Sequence, residues 1–382
     1  MCRYLLAFLP ALFIHSGCGA EGTITGDGCL SGDDCAEPEE SATLSFVDDA
    51  SGTPPGVVPA NPNATAGARQ LLQRITDNTS APRRKVGSGL HLGSWKTFHT
   101  DPAGAMEDYN DLETETGENP WLIGVDYDAN PASPATYPGG YSAVNAVLID
   151  HYTVGGAVSI SIHAYNPCTG GRFDDLDCDI EKLITPGTTE YNNWRAQLDE
   201  YAIGLEALRV AGVPVLWRPF HEMNRSPFWW THQNTTMTTG RFHTLWRQTY
   251  DYLTNTKGLN NLLWVFAPST KERSGVGGTE NWYPGDDYVD VIGMSNYLGG
   301  TTTQDDRDDQ LAFTQAIPNK PFAITECCRN GNESNYDNSV FLDELTDNYQ
   351  YVSYFMFWKD SKAPTESPNA SVLFNDPLID NR

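Results

Sequence analysis

The chain has 382 residues, of which 39% are apolar and 11% aromatic, a composition that excludes a disordered or coiled-coil protein and is ample for a large core. It carries 50 acidic against 24 basic side chains, for a formal net charge of −26. This charge repels phosphate backbones and argues against nucleic acid as a partner, whereas a neutral polysaccharide meets no such repulsion. The acidity alone is equally typical of a soluble exported protein.

Residues 1–20 have the pattern of a secretory signal, with Arg3 near the start, an apolar stretch over residues 4–14 and small residues after it. This stretch is too short to span a bilayer stably, so we expect a secreted, extracellular protein. Cys18 follows a Ser-Gly pair, as in bacterial lipoproteins, but His15 departs from that pattern. A lipid anchor at Cys18 on the cell surface therefore stays open.

Residues 21–60 are rich in Gly, Asp, Glu, Ser and Pro and have little periodicity, which predicts an acidic linker. In an exported chain, cysteines that bracket short loops are candidates for disulfides. Local pairing is plausible for Cys29 with Cys35 and for Cys168 with Cys178. The adjacent Cys327 and Cys328 could form a vicinal disulfide or remain two thiols, and the sequence does not decide between them.

From residue 61 to residue 382, strand-like and helix-like stretches alternate, as expected of one catalytic domain. Short apolar runs predict strands at residues 85–89, 121–125, 157–162, 213–217, 262–266, 288–294, 321–325 and 351–357. Helical periodicity lies mostly between them, at residues 66–75, 104–115, 141–152, 191–211, 242–253, 310–317 and 338–348. Eight alternating units predict a closed, parallel (β/α)8 TIM barrel. An open doubly wound sheet is the alternative, but no Gly-x-Gly-x-x-Gly turn follows the first strand.

Polar and aromatic residues stand at the carboxyl ends of these predicted strands. In (β/α)8 barrels that rim carries the active site. The residues are His91, Asp126, His163, Glu222, Tyr297, Glu326 and Trp358.

Two of these rim residues are glutamates, Glu222 and Glu326, on the fourth and seventh predicted strands. Glycoside hydrolysis needs two carboxylates that flank one bond, one protonated and one ionised. We predict that Glu222, between His221 and a run of aromatic residues, is the proton donor. Glu326 is then the nucleophile, with Arg218 and Tyr297 as candidates to keep it ionised. The alternative interpretation is a buried Arg–Glu pair at a strand end with a purely structural role.

Tryptophans just beyond strand ends are candidates to stack on sugar rings, and Trp229, Trp230 and Trp358 have that position. Tryptophans of a barrel protein are also common in the hydrophobic core, and we assign Trp194 and Trp264 to the core.

The segment at residues 218–224, Arg-Pro-Phe-His-Glu-Met-Asn, followed by aromatic residues, resembles glycoside hydrolase family 26. The similarity extends through residues 163–167, residues 283–293, Tyr297, Thr325-Glu326 and Trp358, and so covers most of the chain from about residue 61. The resemblance implies a retaining (β/α)8 enzyme, most often an endo-β-1,4-mannanase. Other members are β-1,3-xylanases or mixed-linkage β-glucanases, and a catalytically inactive carbohydrate-binding barrel is a further alternative.

The resemblance also implies roles, residue by residue. Acid/base and nucleophile fall on Glu222 and Glu326, orientation of the carboxylates on His221 and Tyr297, and the subsite of the attacked sugar on His163 and Trp358. We expect substrate binding to involve these four together with Trp229 and Arg218. The chain departs from the family pattern at Ile162 and Ser295, usually Trp and Asp, and at residues 225–227, Arg-Ser-Pro, where Gly-x-Trp is usual.

A metal hydrolase is a poor alternative, because the His221-Glu222 pair lacks the second histidine that a zinc helix requires. We therefore expect no metal and no cofactor, a polysaccharide as the partner, and a monomer.

Overall fold

The computed structural model describes residues 58–79, 85–127, 140–270, 278–297, 304–328 and 336–382. The predicted signal and linker, the Cys29–Cys35 pair and Cys18 lie outside these ranges. Within them, no helix has both the length and the apolar character needed to cross a bilayer.

Eight parallel strands close into a barrel, which confirms the predicted fold. Each of these strands pairs with the next along the chain, and the last pairs with both its predecessor and the first, so that Leu90 stands opposite Phe357 where the barrel closes. The strands are β2 (Gly89–Ser94), β3 (Leu122–Asp126), β4 (Ala157–Ser161), β5 (Val215–Arg218), β6 (Leu262–Phe266), β7 (Val291–Asn296), β8 (Phe322–Cys327) and β9 (Val352–Phe357). Two short strands, β1 (Val86–Gly87) and β10 (Ile379–Asp380), extend the sheet beside β9.

Almost every strand residue is buried, because the inner face meets the barrel interior and the outer face meets helices. The interior cluster includes Leu216, Leu263, Ala323 and Met356, and it continues into Leu72 of helix α1 (Ala66–Thr79). These strand residues lie mostly near the amino ends of their strands, so α1 closes that end of the barrel. The opposite end stays open for a site.

Helices alternate with the strands, and α7 shows why. Its N-terminus is capped by the Thr188 hydroxyl, which accepts a hydrogen bond from the Tyr191 amide. One face buries apolar residues such as Leu198 and Leu205 against the barrel. The helices are α1 (Ala66–Thr79), α2 (Thr97–Thr100), α3 (Pro102–Ala105), α4 (Glu107–Thr116), α5 (Ser142–Thr153), α6 (Ile180–Leu183), α7 (Thr189–Val210), α8 (Thr239–Tyr250), α9 (Gln304–Ala316), α10 (Asn338–Asp347) and α11 (Ala370–Phe374).

Several element boundaries differ from the predicted ones; α9, for example, begins at Gln304 rather than at residue 310. The first predicted strand is divided into β1 and β2, and β2 runs on to Ser94, so His91 lies inside a strand rather than at its end. The predicted helix at residues 104–115 is divided between α3 and α4, where the Asp101 carboxylate caps a separate short turn. The strand predicted from residue 288 begins at Val291, after a 3-10 turn over Asp286–Tyr288.

Candidate active site

A cavity of about 450 Å³ opens at the carboxyl ends of the strands. Its volume is in the range of ordinary ligand sites. It brings together both predicted catalytic glutamates and four of the six predicted binding residues. The lining residues are His163, His221, Glu222, Arg225, Ser226, Pro227, Phe228, Tyr297, Glu326, Trp358 and Lys362.

Glu222 reaches this cavity through a sharp turn after β5. Phe220 and Glu222 both adopt left-handed backbone conformations, with φ of 54°, which non-glycine residues rarely accept outside functional sites. The Glu222 amide donates to the carbonyl of Ala267, beyond the end of β6, over 2.8 Å. Asn224 exchanges two side-chain hydrogen bonds with the backbone of Ser269, at 2.7 and 2.8 Å. The turn is thus fastened to the neighbouring strand, which fixes the direction of the carboxyl group.

The surroundings of Glu222 favour its protonated form. Burial, and then repulsion from Glu326, raises the pKa of this carboxyl above its usual value. Ser226, whose hydroxyl donates to Oε2 of Glu222, lowers the pKa, as do Ser295 and Arg225, but these effects do not cancel the rise. A glutamate with a raised pKa stays protonated to higher pH than an ordinary one, which suits a proton donor.

Glu326, near the end of β8, has the opposite surroundings. Its Oε1 forms an ion pair with Nη2 of Arg218 over 2.5 Å, and the hydroxyl of Tyr297 donates to its Oε2 over 2.8 Å. Burial opposes the charge on Arg218, but attraction to Glu326 and Asp126 raises the pKa of the guanidinium above its usual value. Burial, with repulsion from Glu326 and Glu222, raises the pKa of Tyr297 well above 10, so this phenol remains a donor. A cation and a hydroxyl donor are suitable partners for a carboxylate nucleophile.

A chain of buried polar groups supports the cavity wall beside Glu222. Nδ1 of His163 donates to Asp126 over 3.0 Å, and the Nε2 atoms of His163 and His221 lie 3.2 Å apart. The two imidazole rings thus form a direct hydrogen bond that extends the chain from Asp126 to the residue before Glu222. Burial lowers the pKa of His221 well below 6.5, so this ring is neutral. Burial alone would raise the pKa of Asp126, but His163, His91 and Ser161 together hold it well below its usual range.

His91 supports the aromatic edge of the cavity from beneath. Its ring is fully buried and stacks on Trp358, with centroids 4.0 Å apart and planes inclined by 13°. The Gly93 amide donates to Nδ1 of His91 over 3.0 Å, which leaves the ring proton on Nε2, facing Asp126 at 3.8 Å. Burial lowers the pKa of His91 to about 4. His91 is therefore a neutral support that holds the Trp358 indole at the cavity.

Two of the residues predicted to bind substrate do not reach the cavity, and these predictions are corrected. Trp229 is fully buried: it packs against Trp194 and Phe220, and its indole N–H donates to the Ala164 carbonyl over 2.8 Å. Arg218 is only 1% exposed and lies behind Glu326, so it acts on that carboxylate rather than on a sugar. Trp230, also considered for stacking, is fully buried as well.

Ser226 and Lys362 were not predicted as individual site residues, yet both line the cavity. Both lie on loops whose course no strand or helix pattern predicts. The only signal for Ser226 was its place in the stretch that departs from the family pattern.

The cysteines pair as far as the structure describes them. Cys168 and Cys178 form the predicted disulfide, which closes the loop that follows β4. Cys327 and Cys328, left open by the sequence, form a vicinal disulfide directly after Glu326. Among the described ranges, no group of three or more His, Cys, Asp or Glu residues is arranged to hold a metal ion.

Taken together, the open end of a (β/α)8 barrel carries two carboxylates on one cavity, one with a raised pKa and one paired with a cation, beside an exposed indole edge. These are the groups that a glycoside hydrolase requires at its active site.

Comparison with known proteins also indicates a glycoside hydrolase, and it identifies the family. The sequence profile of Glycosyl hydrolase family 26 matches residues 60–382, and the chain belongs to that family. A mannan endo-1,4-beta-mannosidase of Bacillus subtilis is 28% identical over 328 residues, covering 84% of this chain and 87% of that protein.

Solved structures of mannanases also resemble this chain over most of its length. The Bacillus subtilis mannanase BCman matches with a TM-score of 0.73 and 27% identity, over 85% of this chain and 95% of that one. A beta-mannanase from a symbiotic protist of the termite Reticulitermes speratus, solved with a gluco-manno-oligosaccharide, matches with a TM-score of 0.67 and 25% identity, over 85% and 96%.

Proposed function

We propose that this family 26 glycoside hydrolase is an exported endo-β-1,4-mannanase that works by double displacement. The observation that carries the proposal is the contrast between two glutamates on one cavity, Glu222 with a raised pKa and Glu326 beside Arg218 and Tyr297. The mannan-degrading relatives, similar over most of the chain, support the choice of substrate.

In the first step, Glu222 gives its proton to the glycosidic oxygen while a Glu326 oxygen attacks the anomeric carbon. The bond from that carbon to the leaving sugar breaks as the bond to Glu326 forms. In the second step, Glu222, now a carboxylate, takes a proton from water, and the resulting hydroxide displaces Glu326. The anomeric configuration is retained. Tyr297 and Arg218 bind Glu326 when it carries negative charge, and so favour its departure in this second step.

We propose that His163 and Trp358 contact the attacked sugar, and the proposal is supported by their place on the cavity and by the buried partners that hold them. The polar chain from Asp126 fixes the ring of His163, and His91 fixes the plane of Trp358. We propose that the indole stacks on a sugar face and that the imidazole edge contacts its hydroxyls.

The test is hydrolysis of β-1,4-mannan, mixed-linkage β-glucan and β-1,3-xylan, measured by reducing ends and by viscosity. We expect cleavage of mannan with an early fall in viscosity, which marks endo action. Glu222→Ala and Glu326→Ala should lose this activity, while Glu115→Ala, an exposed glutamate on α4, should not. Cleavage of only the glucan or the xylan would reassign the substrate, and binding without cleavage would make the protein a carbohydrate-binding barrel.

Export is proposed from the signal pattern of residues 1–20. The mass of the protein recovered from outside the cells tests it, and an added diacylglycerol mass on Cys18 would identify a lipid anchor. Sedimentation of the same material tests the expectation of a monomer.

A further inference from the structure

The catalytic cavity contains two cationic side chains that the reaction does not require. Arg225 and Lys362 both line it, together with the two glutamates. Arg218 already forms an ion pair with Glu326, so that carboxylate does not need either of them. Two further cations thus line one cavity of a chain whose formal net charge is −26.

Lys362 is not committed to a carboxylate of the described residues. It ends a 3-10 turn over Asp360–Lys362, and its Nζ lies 4.1 Å from the centre of the Tyr297 ring. The neighbouring Lys359, by contrast, pairs with Asp360 over 3.0 Å. The turn begins with Asp360 in a left-handed conformation, with φ of 55°, a backbone cost that is typical of functional loops.

Arg225 is uncommitted in the same sense. It lies in the turn after Glu222, where its carbonyl accepts a hydrogen bond from the side chain of Gln233. In the part of the chain that the structure describes, no carboxylate forms an ion pair with its guanidinium, whereas Arg241 and Arg307 each have such a partner. Arg225 lines the cavity and lowers the pKa of Glu222, so its charge acts on the catalytic acid and also on a substrate that enters the cavity.

Neutral sugars need no such charges, since amide and hydroxyl side chains bind their hydroxyl groups with less desolvation. Guanidinium and ammonium groups are the side chains that bind carboxylate and sulfate oxygens most strongly. We infer that the β-linked polysaccharide cleaved here carries anionic groups, carboxylates or sulfate esters, on sugars beside the bond that is cut. This inference rests on the proposed function and narrows its substrate class.

The test compares a β-1,4-mannan with two derivatives of it, one partly oxidised to carboxylates at C6 and one partly sulfated. The readout is the ratio of kcat/KM on each anionic polymer to kcat/KM on the parent. In the wild type we expect a ratio above one that falls as salt rises, because ions screen the attraction. A raised ratio on only one of the derivatives identifies the anionic group. A ratio of one or less on both would overturn the inference.

Variants show where the preference arises. Arg225→Gln and Lys362→Gln should each lower the ratio about tenfold, the loss expected for one charge-assisted hydrogen bond. Lys362→Arg keeps the charge and should keep the ratio, and Lys182→Gln, a lysine on α6 away from the cavity, should leave it unchanged. An unchanged ratio in both glutamine variants would also overturn the inference. Cleavage of the neutral parent tests the proposed mannanase activity separately, so the two failures are distinguishable.

Discussion

The turn after β5 and the end of β8 each bring one glutamate to the same cavity, and they do so by different means. Glu222 is placed by a backbone held in left-handed conformations and tied to β6, and its closest polar partner is a serine hydroxyl. Glu326 lies within β8 and contacts the guanidinium of Arg218 and the hydroxyl of Tyr297. The surroundings of Glu222 disfavour its charged form, whereas Glu326 has partners that suit a negative charge.

This contrast shows how one residue type can serve two opposite roles within one site. Repulsion between the carboxyl groups raises the pKa of Glu222, so the carboxylate of Glu326 helps to keep its partner protonated. The asymmetry depends on Arg218, which reaches Glu326 from the carboxyl end of β5. The environments of Glu222 and Glu326 are therefore coupled, and a substitution beside either glutamate should affect both of them.

The largest effect should come from removing the glutamates themselves, and the leaving group separates their roles. Glu222→Ala should lower kcat/KM on mannan about 10²- to 10⁴-fold, because proton donation is lost. On a dinitrophenyl β-mannobioside, whose leaving group needs no proton, kcat/KM should stay within about tenfold of wild type. Glu326→Ala should lose activity on both substrates. Steady-state kinetics on the two substrates would reverse the assignment if Glu326→Ala were the variant rescued by the good leaving group.

The next largest effect should come from Arg218→Met, which leaves Glu326 as a buried charge without its partner. We expect the free energy of unfolding at pH 7 to fall by about 3–5 kcal/mol, as measured by urea unfolding. Arg209→Met, which breaks an exposed pair with Glu206 on α7, should cost less than about 1 kcal/mol. The double variant Arg218→Met/Glu326→Gln should recover most of the loss. If Arg218→Met were as mild as the surface control, the described ion pair would not be what holds Glu326.

The fold and the two glutamates were predictable because they depend on patterns with a fixed period and a fixed place. Alternating strand and helix runs define the barrel, and strand ends define the rim, so Glu222 and Glu326 follow from position alone. The Cys168–Cys178 disulfide was predictable for a similar reason, since the two cysteines bracket one short loop.

Trp229 was mispredicted because a tryptophan beyond a strand end has the same sequence signature whether it faces the cavity or the core. The difference is decided by tertiary partners, here the Ala164 carbonyl and the rings of Trp194 and Phe220. Ser226 and Lys362 were missed because their positions depend on turns with left-handed residues that are not glycine. Such turns are stabilised by the rest of the fold and leave no local trace in the sequence.

The smallest and most specific effect should come from Ser226, whose hydroxyl contacts Glu222. Its hydroxyl donates to Oε2 and so stabilises the carboxylate form, which lowers the pKa of Glu222 against the effects of burial and Glu326. Ser226→Ala should therefore raise that pKa further, by about one unit if about 1.4 kcal/mol of stabilisation is lost. The acid must be protonated to act, so activity is lost above its pKa, and the alkaline limb of kcat/KM should move to higher pH.

Ser226→Thr keeps the hydroxyl and should keep the wild-type limb, as should Ser371→Ala, whose hydroxyl donates to the Glu115 carbonyl on the outside of the barrel. A limb that stays in place in Ser226→Ala, or moves to lower pH, would mean that the serine does not act on the ionisation of Glu222.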